Sequence, residues 1–412
     1  MDTTGDQPWF ETIRTLLDRV HLMMPDELAT VLDEAAGKLG LRTAVWLVDY
    51  EQTSLRALPQ HGRAVPDPVP VDGSLPGRAF TSVRSVHGDG RWWVPMVDGS
   101  DRLGVVEFVP ADGAVPAEHE FVTRCELLAG LVGHLIGSMD EQGDHLDRAR
   151  RSRPMSVAAE LLWRQLPPLT SSSERTVVTA VLQPCYEVGG DGFDYAHDTG
   201  TAHLVVLDAM GRGLPAGLAC AVALAAIRAT RRAGRGLYDQ CRAADAALIE
   251  QFPDSRFATA VLAQLDLATG RLRYVNAGHP EPLLLRGGRV VRRLPGGRRM
   301  PLGVDDPSVE VAEEMLEPDD RLLLYTDGVT EARAMGGERF GLARLADLVE
   351  RHADAGLPAP ETLRRLAHAV LAHQDGPPAD DATLMLVEWS AAAALTFAPH
   401  AGQSTGEEEI RP

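Results

Sequence analysis

Basic charge is scarce in this 412-residue chain: 40 Lys and Arg stand against 59 Asp and Glu, a formal net charge of −19. Such an excess repels nucleic acid phosphate and anionic lipid, so neither nucleic acid nor a membrane is an expected partner. Long apolar runs are missing too. No uninterrupted stretch approaches the roughly 18–20 residues of a membrane span, and Met1-Asp2-Thr3-Thr4-Gly5-Asp6 is acidic and polar. Cysteine is limited to Cys125, Cys185, Cys220 and Cys241, with no CxxC pair. That pattern fits free or buried thiols in a reducing compartment, and a cytoplasmic protein is expected.

The length suits two or three domains. Residues 10–140 read as one of them. Asp26–Leu39 has helical apolar spacing, Thr43–Asp49, Trp92–Val97 and Leu103–Val109 are strand-like, and a helix over Ala117–Met139 closes the unit. This order, with the short Ser74–Phe80 segment between strands, resembles a GAF domain, which would leave a small-molecule ligand or a dimerising role open. Residues 141–168 are expected as a linker helix. Its charge flips from acidic to basic before Arg153, Pro154 suits a first helical turn with Ser152 as its cap, and a solvated connector is favoured over a dimerising or signal-transmitting helix.

From residue 169 to 390 the elements change character. Strands at Thr176–Leu182 and Ala202–Leu207 precede helices at Leu214–Arg232 and Tyr238–Phe252; hairpins then join Ala258–Leu267 to Arg271–Asn276 and Pro282–Leu285 to Val290–Leu294. After the Arg321–Thr326 strand come helices at Leu342–His352 and Glu361–His373 and a last strand, Thr383–Trp389. Strands outnumber helices and rarely alternate with them, so an α+β fold of packed sheets under helices is expected. Residues 391–412 are expected to be a disordered tail.

Aspartate carries the chemistry. Asp-Gly is a common turn dipeptide, and of the seven here those at Asp72, Asp89, Asp98, Asp112 and Asp375 need no other explanation. Asp327 differs because the run Arg321–Thr326 delivers it, as His203–Leu207 delivers Asp208. Carboxylates gathered at strand ends repel one another unless a cation neutralises them. Without thiols or tightly spaced histidines, the donor set selects Mg²⁺ or Mn²⁺, and two such ions suit phosphoester hydrolysis.

The ordered set Gly189-Gly190-Asp191, Asp208-Ala209-Met210-Gly211, Asn276-Ala277-Gly278-His279-Pro280, Pro301-Leu302-Gly303, Tyr325-Thr326-Asp327-Gly328-Val329 and Asp380-Asp381-Ala382-Thr383 resembles the metal-dependent (protein phosphatase 2C-like) serine/threonine phosphatases of the bacterial sporulation stage II E subgroup. The resemblance implies an αββα sandwich in which Asp208 bridges two Mn²⁺ or Mg²⁺ ions, the Ala209 carbonyl binds the second and Asp327 and Asp380 complete the first. It further implies that Asp191 acts mainly through metal-bound water and that Asp381 supports Asp380 in the metal site. The implied substrate is phosphoserine or phosphothreonine on a protein, often a small anti-sigma factor antagonist. The GAF-like unit would supply regulatory input.

Two departures stand out. Gly211-Arg212-Gly213 replaces the subgroup's common Gly-His-Gly, and Gly192 replaces an aromatic. Arg212 reads first as a surface residue, with phosphate steering as the other reading. His279 reads as a turn residue with a structural hydrogen bond rather than a general acid. The GxGxxA pattern over Gly211–Ala216 lacks the βαβ repeat of a dinucleotide fold, and Gly189–Phe193 lacks the glutamate of a GGDEF signature. A catalytically inactive, partner-binding pseudophosphatase is the alternative to an enzyme.

Overall fold

The computed structural model describes residues 3–111, 119–187, 189–374, 378 and 380–397. The turns expected at Asp112 and Asp375 and the tail from 398 lie outside them. The chain divides into two compact units, Met1–Arg153 and Pro154–Pro412.

The first unit runs α1 (Thr3–Val20), α2 (Leu28–Gly37), β1 (Leu41–Val48), β2 (Ser54–Ala57), β3 (Val69–Pro70), α3 (Leu75–Ser82), β4 (Val86–Gly88), β5 (Arg91–Asp98), β6 (Asp101–Pro110), α4 (His119–Met139) and α5 (His145–Arg150). Its six strands form an antiparallel sheet ordered β3-β2-β1-β6-β5-β4. Each face has its own core. On one, Leu16 of α1, Leu28 and Leu32 of α2 and Leu128, Val132 and Ile136 of α4 pack over Val45, Val94 and Val106. On the other, Phe80 of α3 packs with Trp46, Trp93 and Val105. The first helix, absent from the sequence reading, extends this unit ahead of residue 10 through Trp9, Ile13 and Leu16 at helical spacing.

The stretch 141–168 is not a single helix. A 3₁₀ turn at Asp140–Gln142 and α5 belong to the first unit, and the next helix, α6 (Val157–Trp163), belongs to the second. Nor is the charged part a solvated connector. Leu146 and Asp147 are buried, Asp147 accepts the Tyr50 hydroxyl, Arg150 donates to the Val48 carbonyl at 3.1 Å and lies over the Tyr50 ring, and Arg56 donates to the Ala149 carbonyl at 3.0 Å. Arg150 satisfies the carbonyl at the end of β1 and Asp147 the Tyr50 hydroxyl, so these charges fold back onto the sheet instead of facing water. The cap of α6 is Ser156, whose hydroxyl accepts from Ala159 N at 3.1 Å; Ser152 instead donates to Glu51.

After α6 the second unit continues with β7 (Thr170–Ser173), β8 (Thr176–Gln183), β9 (Asp191–Asp198), β10 (Thr201–Ala209), α7 (Leu214–Arg232), α8 (Leu237–Gln251), β11 (Ala258–Asp266), β12 (Arg271–Ala277), β13 (Leu283–Arg286), β14 (Arg289–Arg293), β15 (Arg298–Arg299), β16 (Ala312–Met315) and β17 (Arg321–Tyr325). It ends with α9 (Asp327–Glu331), α10 (Gly341–Asp354), α11 (Ala359–His373), β18 (Ala382–Glu388) and α12 (Ala391–Leu395), so the first five residues of the expected disordered tail are helical. One sheet is ordered β15-β12-β11-β10-β9 with β16 on β12, the other β14-β13-β17-β18-β8-β7.

The two sheets share one apolar core, in which Val178, Leu182, Leu324 and Met385 meet Phe193, Leu204, Val206 and Val261. Helices α7 and α8 cover the first sheet, α10 and α11 the second, giving the expected αββα layers. Helix α7 is apolar and long enough to cross a membrane, but its Ala219, Cys220, Ala223, Leu224 and Ile227 are core residues packed at the first sheet.

Candidate active site

The strands deliver the aspartates to one end of the sandwich. Asp191 begins β9 and Asp208 nearly ends β10; antiparallel pairing sets them directly opposite each other, with Thr259 of β11 on the far side of Asp208. From the second sheet, Asp327 opens α9 just after β17, and Asp380-Asp381 lead into β18.

Hydrogen bonds stitch the two sheets together here. The Oδ2 of Asp381 accepts the backbone N–H groups of Gly189, Gly190 and Asp191 at 2.5, 2.8 and 3.3 Å. In return, Asp191 Oδ2 accepts the hydroxyls of Thr326 and Thr383, both at 2.7 Å. Thr326 also receives the N–H of Thr383 at 3.0 Å, so one hydroxyl ties β17's end, β18's start and β9's first residue. Asp191, Asp381, Thr326 and Thr383 are all buried. Both threonines stand in the sequence motifs with no role evident there; their position, Thr326 immediately after an apolar strand and Thr383 one residue into another, is the signal the sequence offers.

Gly328 shows why an Asp-Gly pair here is no ordinary turn. A Cβ at that position would stand 1.7 Å from the Asp381 carbonyl oxygen, so only glycine lets α9 approach the Asp380-Asp381 loop.

The electrostatics are those of a site short of positive charge. Burial pushes Asp208 up to about 7, with the charges of Asp327, Asp380 and Asp381 adding to it. Burial also raises Asp191 well above the usual carboxylate range, reinforced by Asp208 and Asp381 and opposed by the two threonine hydroxyls. Asp327 is raised by its surroundings first and by Asp380 next, and Asp381 by burial against the pull of its three N–H donors. Asp191 and Asp208 stand opposite each other across the β9–β10 pair, so each carboxylate disfavours a second negative charge beside it. Asp327 and Asp380 are exposed.

Among the described residues, no three His, Cys, Asp or Glu side chains close into a cation cage. The carboxylates stand within electrostatic reach of one another without that closure, the spacing expected of like charges. The donor set nevertheless fits hard divalent ions: it is all oxygen, its charges raise one another's proton affinity, and the four cysteines are buried and free.

His279 lies behind the site. It is buried, its Nδ1 is 2.7 Å from Thr259 Oγ1, its N–H donates to Asn276 Oδ1 at 2.8 Å, and burial lowers it to about 3, so it is neutral. That is the structural role read from the sequence. Arg212 is exposed, yet its Nη2 donates to the Pro378 carbonyl at 3.2 Å.

Residues 198–390 match the family model described as Stage II sporulation protein E (SpoIIE). Of the site residues, Asp191 alone falls outside that span. Phosphoserine phosphatase RsbP of Bacillus subtilis is 28% identical over 218 residues, 49% of this chain and 49% of that protein. Phosphoserine phosphatase RsbU of the same organism is 23% identical over 236 residues, 57% of this chain and 69% of that protein. Protein IcfG of Synechocystis is 31% identical over 136 residues, 32% of this chain and 20% of that protein, so the chain spans half or less of two of these three relatives. A solved structure of the RsbU and RsbW domains of Rv1364c from Mycobacterium tuberculosis matches at 30% identity and a TM-score of 0.46, over 52% of this chain and 61% of that one. The SiaA-PP2C domain of Pseudomonas aeruginosa matches at 24% identity and a TM-score of 0.48, over 61% of this chain and 99% of that one.

Proposed function

We propose that this chain, whose residues 198–390 match the SpoIIE family model, hydrolyses phosphoserine or phosphothreonine on a regulatory protein, with a small anti-sigma factor antagonist as the substrate class. The observation that carries the reading is the meeting of Asp191, Asp208, Asp327, Asp380 and Asp381 from both sheets at one end of the sandwich, each of the first three raised by burial and then by a neighbouring carboxylate.

Asp208 would bridge two Mn²⁺ or Mg²⁺ ions, with the Ala209 carbonyl, Asp327 and Asp380 as further ligands. When bound, such a pair polarises a phosphoryl oxygen and makes water a nucleophile near neutral pH. The protein's part is positional. The two threonine hydroxyls fix one oxygen of Asp191, so only its other oxygen is left to face Asp208 or water. Asp381 spends one oxygen on three N–H groups, which favours supporting Asp380 and the Gly189–Asp191 turn over direct ligation. Burial raises the proton affinity of both Asp191 and Asp208, so ion binding there would strengthen as pH rises.

The first unit, as a GAF-like domain, would pass a small-molecule signal or a dimer contact to the phosphatase. The buried free thiols support a cytoplasmic setting. Purified protein with Mn²⁺ should release phosphate from an aryl phosphate and from a phosphorylated antagonist. Asp208→Asn should lower that release on the order of 10²–10³-fold or more. Equal release by the variant would overturn the assignment, and no release by either, with partner binding intact, would favour a scaffold.

A further inference from the structure

We infer that Arg212 is the side chain that grips the phosphate of the substrate; this rests on the phosphatase reading and adds to it the residue that recognises the phosphoryl group. Arg212 lies four residues beyond Asp208, between Gly211 at φ +101° and Gly213 at φ +67°. Such backbone angles are open to glycine and strained for other residues, so the loop's outward path is set by its glycines, independently of the arginine. From that loop the guanidinium crosses to the carbonyl of Pro378, two residues before Asp380. It therefore links the two segments that carry Asp208 and Asp380.

Its engagement there is slight. Arg228, Arg231, Arg286, Arg289 and Arg299 of the same unit are each paired with a carboxylate. Arg212, among the described residues, pairs with none and uses one N–H on a neutral carbonyl. A guanidinium offers five N–H donors in a planar fork that matches phosphate oxygens two at a time, and a charge-assisted bond is roughly twice as strong as a neutral one. A phosphate monoester arriving at the carboxylates thus has, on the loop that follows Asp208, a cation with unused donors tethered by one bond to a neutral carbonyl. The same charge offsets the repulsion between a dianionic substrate and Asp327 and Asp380.

The Mn²⁺-loaded full chain allows the test, with inorganic phosphate as the binding probe read by calorimetry and an aryl phosphate as the turnover probe. Arg212→Ala should weaken phosphate binding roughly 10- to 100-fold, and Arg212→Gln, which keeps a donor for the Pro378 carbonyl without the charge, should weaken it about as much. Arg212→Lys should fall between, and Mn²⁺ affinity should be unchanged in all three. Unchanged phosphate affinity in Arg212→Ala, full affinity in Arg212→Gln, or a parallel loss of Mn²⁺ affinity would each overturn the inference, the last two by reducing Arg212 to a tether for the Asp380 loop. Arg212-dependent phosphate binding without turnover by the wild-type chain would uphold the assignment while overturning the phosphatase reading.

Discussion

Asp191 and Asp381 differ from Asp327 and Asp380 in almost every physical respect, although all four stand in similar short motifs. The first pair is buried at 2% and 3% exposure, and each spends an oxygen on donors from the opposite sheet. The second pair is exposed to solvent. Carboxylates of the first kind act as framework, because a buried charge persists only where donors surround it. Those of the second kind stand open to solvent. An acidic site can thus be assembled from residues of one type with the structural and chemical work divided among them.

Alanine substitution should break this comparison most visibly. Asp381→Ala leaves the N–H groups of Gly189, Gly190 and Asp191 without their acceptor, and a single buried donor left unmet costs about 1–3 kcal/mol. A loss of roughly 3 kcal/mol or more in denaturant unfolding is expected, with activity falling as the turn loosens. Asp380→Ala loses, among the described residues, one hydrogen bond from Asp381 N at 3.0 Å, about 1 kcal/mol, while Mn²⁺ affinity measured by calorimetry should drop steeply. Equal stability losses in the two variants would erase the distinction.

The threonines sharpen it. Thr326 donates to Asp191 and accepts from Thr383 N, whereas the Thr383 hydroxyl makes the Asp191 bond alone. Thr326→Val should therefore destabilise by about 2–3 kcal/mol and Thr383→Val by about 1–2 kcal/mol. Both substitutions remove a hydroxyl that lowers the proton affinity of Asp191, so both should weaken Mn²⁺ binding near neutral pH.

Much of this arrangement could be read from the chain before folding. Helix α7 occupies the very residues expected, Leu214–Arg232, and the hairpin of β11 and β12 sits where its Ala268-Thr269-Gly270 turn placed it, because apolar periodicity and turn chemistry are local signals. What escaped depended on distant partners. Strand β9, Asp-Gly-Phe-Asp-Tyr-Ala-His-Asp, reads as polar; Asp194 is tolerated in its buried part only because Arg228 and Arg231 of α7 reach it at 2.8 and 2.7 Å. The segment around Asp147 reads as solvated until Tyr50 and the Val48 carbonyl are brought beside it. The threonine bonds to Asp191 close loops of 135 and 192 residues, a relation no window of sequence contains.

An effect confined to the pH dependence of stability is expected at His279, a neutral member of the buried framework. Its folded-state pKa, about 3, lies below the roughly 6.5 of an unfolded histidine. The unfolded chain therefore binds this proton at higher pH than the folded one, and the stability tied to the neutral ring is complete above about 6.5 and lost as pH falls toward 3. Between pH 7 and pH 5 the loss should reach at most about 2 kcal/mol. His279→Gln, which cannot take up that proton, should show a shallower fall in urea unfolding over the same range even if its stability at pH 7 is lower. An identical slope in the two proteins would mean that the ring accepts a proton in the folded state, and that the framework behind Asp208 is more open to water than its burial implies.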